Sequence, residues 1–339
     1  MGARGLDGVL VTDRRQVHAL SGYWAREPFP AALLLRSDGS AYLSYAAGLP
    51  VEGLAATLIP TQLNRLGTLV DLTLNQAIAA LEPMIRSLVQ IGSDTLLPFS
   101  LPRAPIDARP LLAEARRRKC PEEVSLIRHA IVATEAAYAW AAREIRAGMS
   151  EWEMYASLLQ VSTQSAGEPI GELGNDFQSG TPGGPARHRL MEQSELLPLD
   201  LSVVFRGYSS DLCRTFAVGR SPSAAQRQAH QRVMEVLAMI EQQLQPGVSC
   251  RDLYTMAAEM LQNYRGWRFP HHLGHGIGIT AHQAPRLNPE FNDVLKEGDV
   301  FTLEPGLYGL ELRGGVRLEQ NYLVRAGGVE RLSSFPLDL

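Results

Sequence analysis

Residues 269–278 read Phe269-Pro270-His271-His272-Leu273-Gly274-His275-Gly276-Ile277-Gly278, and His282 follows shortly afterwards. The segment places four histidines within a dozen residues and three glycines within five positions around His275. Histidine is the commonest metal ligand and a proton carrier near neutral pH, and glycine permits close backbone approach. A histidine between glycines is therefore typical of a side chain presented at a reactive site. Clustered histidines also occur on ordinary surfaces, so the acidic residues on either side decide between these interpretations.

Four acidic residues lie in apolar, strand-like segments on both sides of the histidines: Asp200, Asp211, Glu304 and Glu319. A carboxylate inside an apolar strand costs on the order of several kcal/mol unless it is paired or bound to a cation. A hairpin turning near Arg206-Gly207 would place Asp200 and Asp211 on neighbouring strands, where like charges require a counter-ion.

Two interpretations of that counter-ion are open. Either Arg214 or another arginine neutralises the acids, or a cation does. Four buried carboxylates and one glycine-flanked imidazole are hard to explain as separate salt bridges. They form a coherent oxygen-rich site, which suits a pair of divalent first-row metals.

Length and composition restrict the class of protein. A chain of 339 residues, 45% hydrophobic and 20% charged, fits a soluble globular protein with two domains. The net charge of −4 gives no reason to expect nucleic acid as a partner. The three cysteines are far apart and form no CxxC pair, which supports neither a disulfide framework nor a cysteine zinc site. No signal peptide and no membrane-spanning apolar segment is apparent, so we expect a cytoplasmic protein without a membrane partner.

Local signals predict two domains, 1–112 and 117–339. In the first, strands at 5–11, 31–36 and 41–44 alternate with a helix capped by Asp13 and a helical segment 74–88 that Pro83 kinks or breaks. A proline-rich run at 97–105 marks the boundary zone. In the second, helices begin at Pro121 and after Ser150, a loop spans 168–185, a buried strand spans 196–205, and amphipathic helices cover 223–244 and 249–264.

The motifs resemble a known family. Gly-Tyr-x-Ser-Asp at 207–211, His-x-x-Gly-His-Gly-Ile-Gly at 271–278, Glu-Pro-Gly at 304–306 and Arg-x-Glu at 317–319 occur in the order seen in the pita-bread metallopeptidases. That family includes prolidase, aminopeptidase P and methionine aminopeptidase, with creatinase as a metal-free relative. The resemblance is strong over about 117–335. It implies an α/β (α+β) fold class, with a pita-bread catalytic domain behind a smaller creatinase-like N-terminal domain.

The resemblance also implies roles for individual residues. Asp200 would chelate one metal ion, Asp211 and Glu319 would bridge two ions, and His275 and Glu304 would complete the other. The cofactor would be two divalent ions, manganese in the first place, with cobalt, zinc or iron as alternatives. Glu304 would also carry the proton to the leaving nitrogen, while His271 and His282 would contact the substrate carbonyl.

Three further residues are candidates for substrate binding. Arg286 resembles the arginine that holds the free carboxylate of a dipeptide in prolidases, and Arg317 resembles an arginine that supports binding in aminopeptidase P. Each arginine could equally be a partner of the metal acids. His188 is a candidate substrate-binding histidine, although the family's Pro-His pair reads Ala186-Arg187-His188 here. Other departures affect substrate choice and rate more than metal binding: Ser202, Gln283 and Gln320.

The implied reaction is hydrolysis of a peptide bond whose nitrogen belongs to proline, in dipeptides or at the N-terminus of short peptides. A homodimer is expected, because this branch of the family is usually dimeric. Two alternatives remain: a non-peptidase amidohydrolase of the creatinase type, and a catalytically silent binding protein on the same fold. The complete ligand set argues against the metal-free version of the first and against the decay expected of the second.

Overall fold

A computed structural model describes residues 1, 4–25, 29–51, 56–62, 70–219 and 221–339. The chain forms two compact units, Met1–Arg116 and Arg117–Leu339. Both contain helices and strands, which confirms the predicted mixed α/β class. In the described part of the chain, no helix is both long enough and apolar enough to cross a bilayer.

One mixed sheet organises the first unit. Its strands are β1 (Gly8–Val11), β2 (Ala32–Arg36), β3 (Ala41–Ala46), β4 (Thr57–Thr61), β5 (Ile91–Ser93) and β6 (Ile106–Asp107). Their spatial order is β4-β3-β2-β1-β5-β6, and β2 runs antiparallel to both β1 and β3. Successive side chains of a strand point to opposite faces. Leu33 and Leu43 therefore join one apolar cluster, and Leu10 and Leu34 join another.

The helices of the first unit are α1 (Arg14–Ser21), α2 (Val70–Ala79), α3 (Glu82–Arg86) and α4 (Arg109–Ala115). Asp13 caps α1 as predicted, because its carboxylate accepts a hydrogen bond from the Gln16 N–H at 2.9 Å. The helical segment predicted at 74–88 is two helices. Pro83 lies in the first turn of α3, where its missing N–H leaves no hydrogen bond unmade.

The second unit has twelve strands among its described residues. They are β7 (Gly174–Asp176), β8 (Leu196–Leu201), β9 (Val204–Phe205), β10 (Tyr208–Ser209), β11 (Leu212–Ala217), β12 (Gly274–Gly276), β13 (Gln283–Leu287), β14 (Val300–Leu303), β15 (Gly306–Gly309), β16 (Gly314–Arg317), β17 (Gln320–Arg325) and β18 (Gly328–Arg331). The two larger sheets have the orders β11-β8-β7 and β13-β12-β14-β17-β18, and β9-β10 and β15-β16 form two-stranded ribbons.

The described residues of the second unit include four α-helices: α5 (Pro121–Glu144), α6 (Glu151–Ala166), α7 (Ala224–Glu241) and α8 (Cys250–Leu261). Helix α6 packs against α5, and the other three pack on strands. Ser150 caps α6 as predicted, and its hydroxyl accepts from the Trp152 N–H at 3.3 Å. Apolar residues of α7 and α8, such as Val233 and Leu253, share a core with Phe301 and Leu303 of β14. The helices thereby hold the strands that carry the histidine and acidic motifs.

The predicted hairpin around Arg206-Gly207 is present. Both residues have positive φ, and β8 pairs antiparallel with β11 so that Cys213 lies opposite Asp200. The strand predicted at 196–205 is interrupted at 202–203. The predicted loop at 168–185 contains the short strand β7, which pairs Asp176 with Asp200.

Candidate metal centre

The two larger sheets of the second unit bring the five proposed metal ligands together. Asp200 lies near the end of β8 and Asp211 precedes β11, whereas His275 lies in β12, Glu304 follows β14 and Glu319 lies between β16 and β17. All five side chains are buried. Donor atoms lie within 4.8 Å of one another in each of two groups that share Glu319: Asp200, Asp211 and Glu319, and His275, Glu304 and Glu319.

The glycines on either side of His275 are required by close backbone approach. A Cβ atom on Gly274 would lie 2.1 Å from the Thr302 carbonyl oxygen of β14, and one on Gly276 would lie 2.2 Å from the Ala284 carbonyl oxygen of β13. Real Cβ atoms do not come so close, so only glycine fits between these neighbouring strands. The glycines thus let β12 carry His275 between β13 and β14.

The ring of His275 presents one nitrogen to the acidic residues. Its Nδ1 lies 3.2 Å from the Gly276 carbonyl oxygen, whereas its Nε2 lies 3.5 Å from both Asp211 Oδ2 and Glu304 Oε1. A hydrogen bond from Nδ1–H to the carbonyl leaves the Nε2 lone pair directed at the acids. Burial lowers the pKa of His275 to about 4, which keeps the imidazole neutral and able to ligate a metal.

Burial disfavours the ionised form of all four carboxyl groups in this cluster. Burial raises the pKa of Asp200 to about 6. Burial, reinforced by neighbouring carboxylates, raises the pKa values of Asp211 and Glu319 well above their ordinary values. Burial also acts against ionisation of Glu304, but His272, whose Nδ1 lies 3.1 Å from Glu304 Oε1, and the other nearby imidazoles outweigh it and lower the pKa of Glu304 to about 2. Full ionisation of this set therefore requires added positive charge.

Three oxygens in the cluster point to a cation. Asp200 Oδ1, Glu304 Oε1 and Glu319 Oε2 are buried and have no hydrogen-bond partner among the described residues. Buried polar atoms are nearly always satisfied, so such atoms need an explanation. Carboxylate oxygens with one imidazole form a donor set that divalent first-row metals accept. The residues present thus fit divalent metal ions.

Neutralisation by arginines, the other interpretation of the counter-ion, accounts for little of the negative charge of the four acids. The guanidinium of Arg214 donates to the Gln320 side chain and to backbone carbonyls, including that of Glu319 at 2.6 Å. Arg317 does reach the cluster, because its Nη2 donates to Asp200 Oδ2 at 2.8 Å. In the described ion pairs, Arg317 is the only arginine that contacts one of the four acids, and that acid is Asp200. The contact leaves Asp200 Oδ1 without a hydrogen-bond partner.

His271 and His282, the two histidines predicted to contact substrate, lie at the cluster in different ways. His271 Nε2 is 3.0 Å from the Tyr308 hydroxyl, its Nδ1 is 2.8 Å from the His272 carbonyl oxygen, and burial lowers its pKa. The exposed ring of His282 stacks on His275 with the ring centroids 3.9 Å apart. His282 therefore has the more accessible ring, and His271 is anchored by the protein at both nitrogens.

Two proposed substrate-binding residues, Arg286 and His188, contact side chains outside the acidic cluster. Arg286 lies opposite His275 in the pairing of β12 with β13, and its Nε donates to Asp293 Oδ2 at 2.8 Å. His188 is exposed and packs against the ring of Trp152, with the centroids 5.0 Å apart. The contacts described for His188 thus place its ring against Trp152 of α6 and not within the acidic cluster.

Three residues at the cluster were given no role by the sequence. His272 Nδ1 lies 3.1 Å from Glu304 Oε1, the Tyr308 hydroxyl accepts from Arg317 Nη1 at 3.0 Å, and Asp176 accepts from Arg317 Nη2. His272 lies inside the histidine-rich segment 269–278, and that pattern could have indicated a role for it. Tyr308 and Asp176 carry no such signal, because their partners are set by strand pairing between distant segments.

The fold and the site together define a metalloprotein with an oxygen-rich centre that contains an imidazole. Residues 125–326 match the model of metallopeptidase family M24. The Xaa-Pro dipeptidase of Pyrococcus furiosus is 33% identical over 233 residues, which cover 68% of this chain and 66% of that protein. The Xaa-Pro dipeptidase of Pyrococcus horikoshii is 30% identical over 233 residues. The chain belongs to metallopeptidase family M24. It spans 66% of the length of these curated relatives.

Solved structures show the same fold over nearly the whole chain. A prolidase from Pyrococcus furiosus superposes with a TM-score of 0.80 at 24% identity, covering 99% of this chain and 98% of that one. An X-Pro aminopeptidase from Thermotoga maritima superposes with a TM-score of 0.80 at 22% identity, covering 100% and 96%. These likenesses confirm the predicted pita-bread fold.

Proposed function

We propose that this chain catalyses metal-dependent hydrolysis of Xaa-Pro peptide bonds, in dipeptides or at the N-terminus of short peptides. The observation that carries the proposal is the convergence of four acids and His275 in one buried pocket with unsatisfied carboxylate oxygens. The names of the relatives, Xaa-Pro dipeptidase and X-Pro aminopeptidase, supply the substrate class.

Within this proposal, Asp200 would hold one divalent ion, His275 and Glu304 would hold a second, and Asp211 and Glu319 would serve both. Manganese is the first expectation, with cobalt, zinc or iron as alternatives, because such a donor set accepts any of them. When bound, a pair of such ions lowers the pKa of a water molecule and polarises the substrate carbonyl.

The chain's own residues prepare the remaining steps. The carboxylate of Glu304 lies beside the imidazoles, with Oε1 3.1 Å from His272 Nδ1, and could accept a proton from the attacking water and deliver it to the leaving proline nitrogen. A chain of hydrogen bonds runs from Arg317 to the Tyr308 hydroxyl and on to His271 Nε2. It fixes the ring of His271, while the exposed ring of His282 can donate to a substrate carbonyl.

The test of this function is a substrate panel. The purified chain, metal-free or loaded with Mn²⁺, is assayed against Xaa-Pro dipeptides, Xaa-Pro-Xaa tripeptides, matched Xaa-Ala peptides and creatine. We expect Xaa-Pro cleavage that requires the metal and is lost on the alanine peptides. Turnover of creatine alone would favour the amidohydrolase alternative. Binding of proline peptides without any turnover would favour the silent binding protein.

Arg286 provides a prediction about substrate length. Its described hydrogen bonds use the backbone N–H, Nε and Nη2, all to Asp293, which leaves Nη1 for a substrate carboxylate. A charge-assisted hydrogen bond contributes about 1.5–3 kcal/mol. We therefore expect Arg286→Ala to raise KM for Xaa-Pro dipeptides by about 10- to 100-fold and to affect longer peptides less.

A matched control for Arg286 is Arg325→Ala, which removes an exposed arginine that also pairs with a carboxylate, that of Glu330 at 2.7 Å. We expect Arg325→Ala to leave KM unchanged for both peptide lengths. Equal KM values for wild type and Arg286→Ala on dipeptides would contradict the role proposed for Arg286.

Three further properties remain predictions: the homodimer, which follows from the resemblance, and the cytoplasmic location and the absence of a nucleic-acid partner, which follow from the sequence. The net charge of −4 supports the last of them. The proposed role of His188 as a substrate-binding histidine also stays a prediction, and its exposed position against Trp152 does not support it.

A further inference from the structure

Arg317 contacts two carboxylates at once. Its Nη2 donates to Asp200 Oδ2 at 2.8 Å and also to Asp176 Oδ2. The two acids are brought side by side by the register of β7 and β8, which pairs Asp176 with Asp200. All three side chains are largely buried, with side-chain exposures of 9% for Arg317, 14% for Asp176 and 10% for Asp200.

Asp176 is held firmly on the guanidinium. Its Oδ1 accepts from the Gly184 N–H at 2.6 Å. A Cβ atom on Gly183 would lie 2.5 Å from the carboxyl carbon of Asp176, so the loop fits closely around this group. On its other side the guanidinium is fixed by the Tyr308 hydroxyl. Arg317 therefore lies between two acids, and its position does not depend on Asp200 alone.

The contacts of Arg317 with Asp200 and Asp176 affect the net charge of the proposed metal centre. The four acids of the proposed metal centre carry four negative charges, which match two divalent ions, but Arg317 cancels one of them. Asp176 restores it, because a buried guanidinium with its own carboxylate adds no net charge. Such neutralisation matters in a buried site, where charges interact more strongly than in water. Asp200 Oδ2 accepts from Arg317 while Oδ1 has no partner among the described residues.

We propose that Asp176 is a positioning residue for metal binding: it occupies Arg317 so that Asp200 keeps its negative charge and one free oxygen for a divalent ion. The proposal rests on the proposed function, since it presumes that Asp200 ligates a metal. It assigns Asp176 no contact with the metal or the substrate. Without Asp176, the guanidinium has Asp200 as its one buried carboxylate and competes with the ion for it.

The experiment is calorimetric titration of metal-free protein with Mn²⁺, for wild type, Asp176→Asn and Asp176→Glu. We expect two ions per wild-type chain. Partners of metal ligands typically change metal affinity by about 10- to 100-fold when mutated. Asp176→Asn should weaken one of the two sites by that factor and leave the other close to wild type, because Asp200 serves one site. Asp176→Glu should recover part of the loss.

The matched control is Asp293→Asn, which makes the same change in another arginine-paired aspartate with 15% side-chain exposure. It should bind both ions as wild type does. Unchanged affinity at both sites in Asp176→Asn would overturn the proposal. Equal weakening of both sites would also overturn it, since that result indicates a general structural role. A wild-type chain that takes up no Mn²⁺ would instead refute the proposed function itself.

Discussion

Glu304→Gln is expected to lower kcat for an Xaa-Pro dipeptide by about 10³-fold while the protein stays folded. The glutamine keeps the shape of Glu304 but cannot accept and release a proton at its oxygen. It also removes a carboxylate that stays ionised, because surrounding imidazoles lower the pKa of Glu304 to about 2 despite its burial. The loss should therefore appear in kcat more than in KM.

The measurement is steady-state kinetics at saturating Mn²⁺, with metal content determined on the same samples. Glu259→Gln, at an exposed position on α8, is the control and should have wild-type kinetics. Circular dichroism and thermal unfolding verify the fold of both variants. A Glu304→Gln enzyme that binds metal and turns over within a few-fold of wild type would contradict the proton-transfer role.

The acidic residues among the proposed metal ligands were predictable because each breaks a local rule in its own segment. An aspartate in Leu-Pro-Leu-Asp-Leu or a glutamate at the end of Phe-Thr-Leu-Glu is unexpected in a buried strand, and the sequence therefore indicates a functional reason. The hairpin at Arg206-Gly207 was equally visible, since glycine commonly marks a turn. These signals are sufficient to predict that Asp200 and Asp211 lie close together.

The partners of these ligands were not predictable in the same way. Asp176 lies in a segment rich in glycine and proline that reads as a loop, and nothing local shows that it pairs with β8. The sequence left Arg317 as a candidate either for substrate binding or for pairing with the proposed metal acids, and in the structure its guanidinium contacts Asp176, Asp200 and Tyr308. Such contacts depend on register between strands far apart in sequence, and local patterns do not determine that register.

The segment before β8 illustrates the same limit. Its Ala186-Arg187-His188 sequence suggested a substrate histidine by position alone. In the structure, Arg187 Nη2 donates to the buried carboxylate of Glu151 at 2.6 Å, which anchors this loop to the start of α6. His188 then points to the ring of Trp152. The anchoring ion pair, which joins residues 36 positions apart, determines where the histidine goes.

Removal of the metal is expected to lower the thermal stability of the chain, and to do so more at about pH 7.5 than at about pH 5. Burial raises the folded-state pKa of Asp200 from 3.8 to about 6. A raised pKa means that the metal-free fold gains stability while this group is protonated, below about pH 4, and loses it as the pH rises through about 6. Bound cations reverse this trend, because metals bind the deprotonated ligands.

The size of the effect follows from binding linkage. A ligand present at 1,000 times its Kd stabilises the folded state by about 4 kcal/mol, which for a unit of this size corresponds to roughly 10 °C in Tm. We therefore expect Mn²⁺ to raise Tm by roughly 10 °C at about pH 7.5 and by clearly less at about pH 5. Calorimetric scans of chelator-treated and reloaded protein measure both shifts.

Asp200→Asn separates the effect of Asp200 ionisation on this pH dependence from the effect of metal binding. The amide removes a buried ionisable group, so the metal-free variant should be more stable than metal-free wild type at about pH 7.5. It should also lose most of the Mn²⁺-induced rise in Tm, because one ligand is gone. Asp252→Asn, at an exposed position on α8, should behave as wild type in both respects. If Mn²⁺ leaves the Tm of wild type unchanged at both pH values, the buried acids do not form a metal centre.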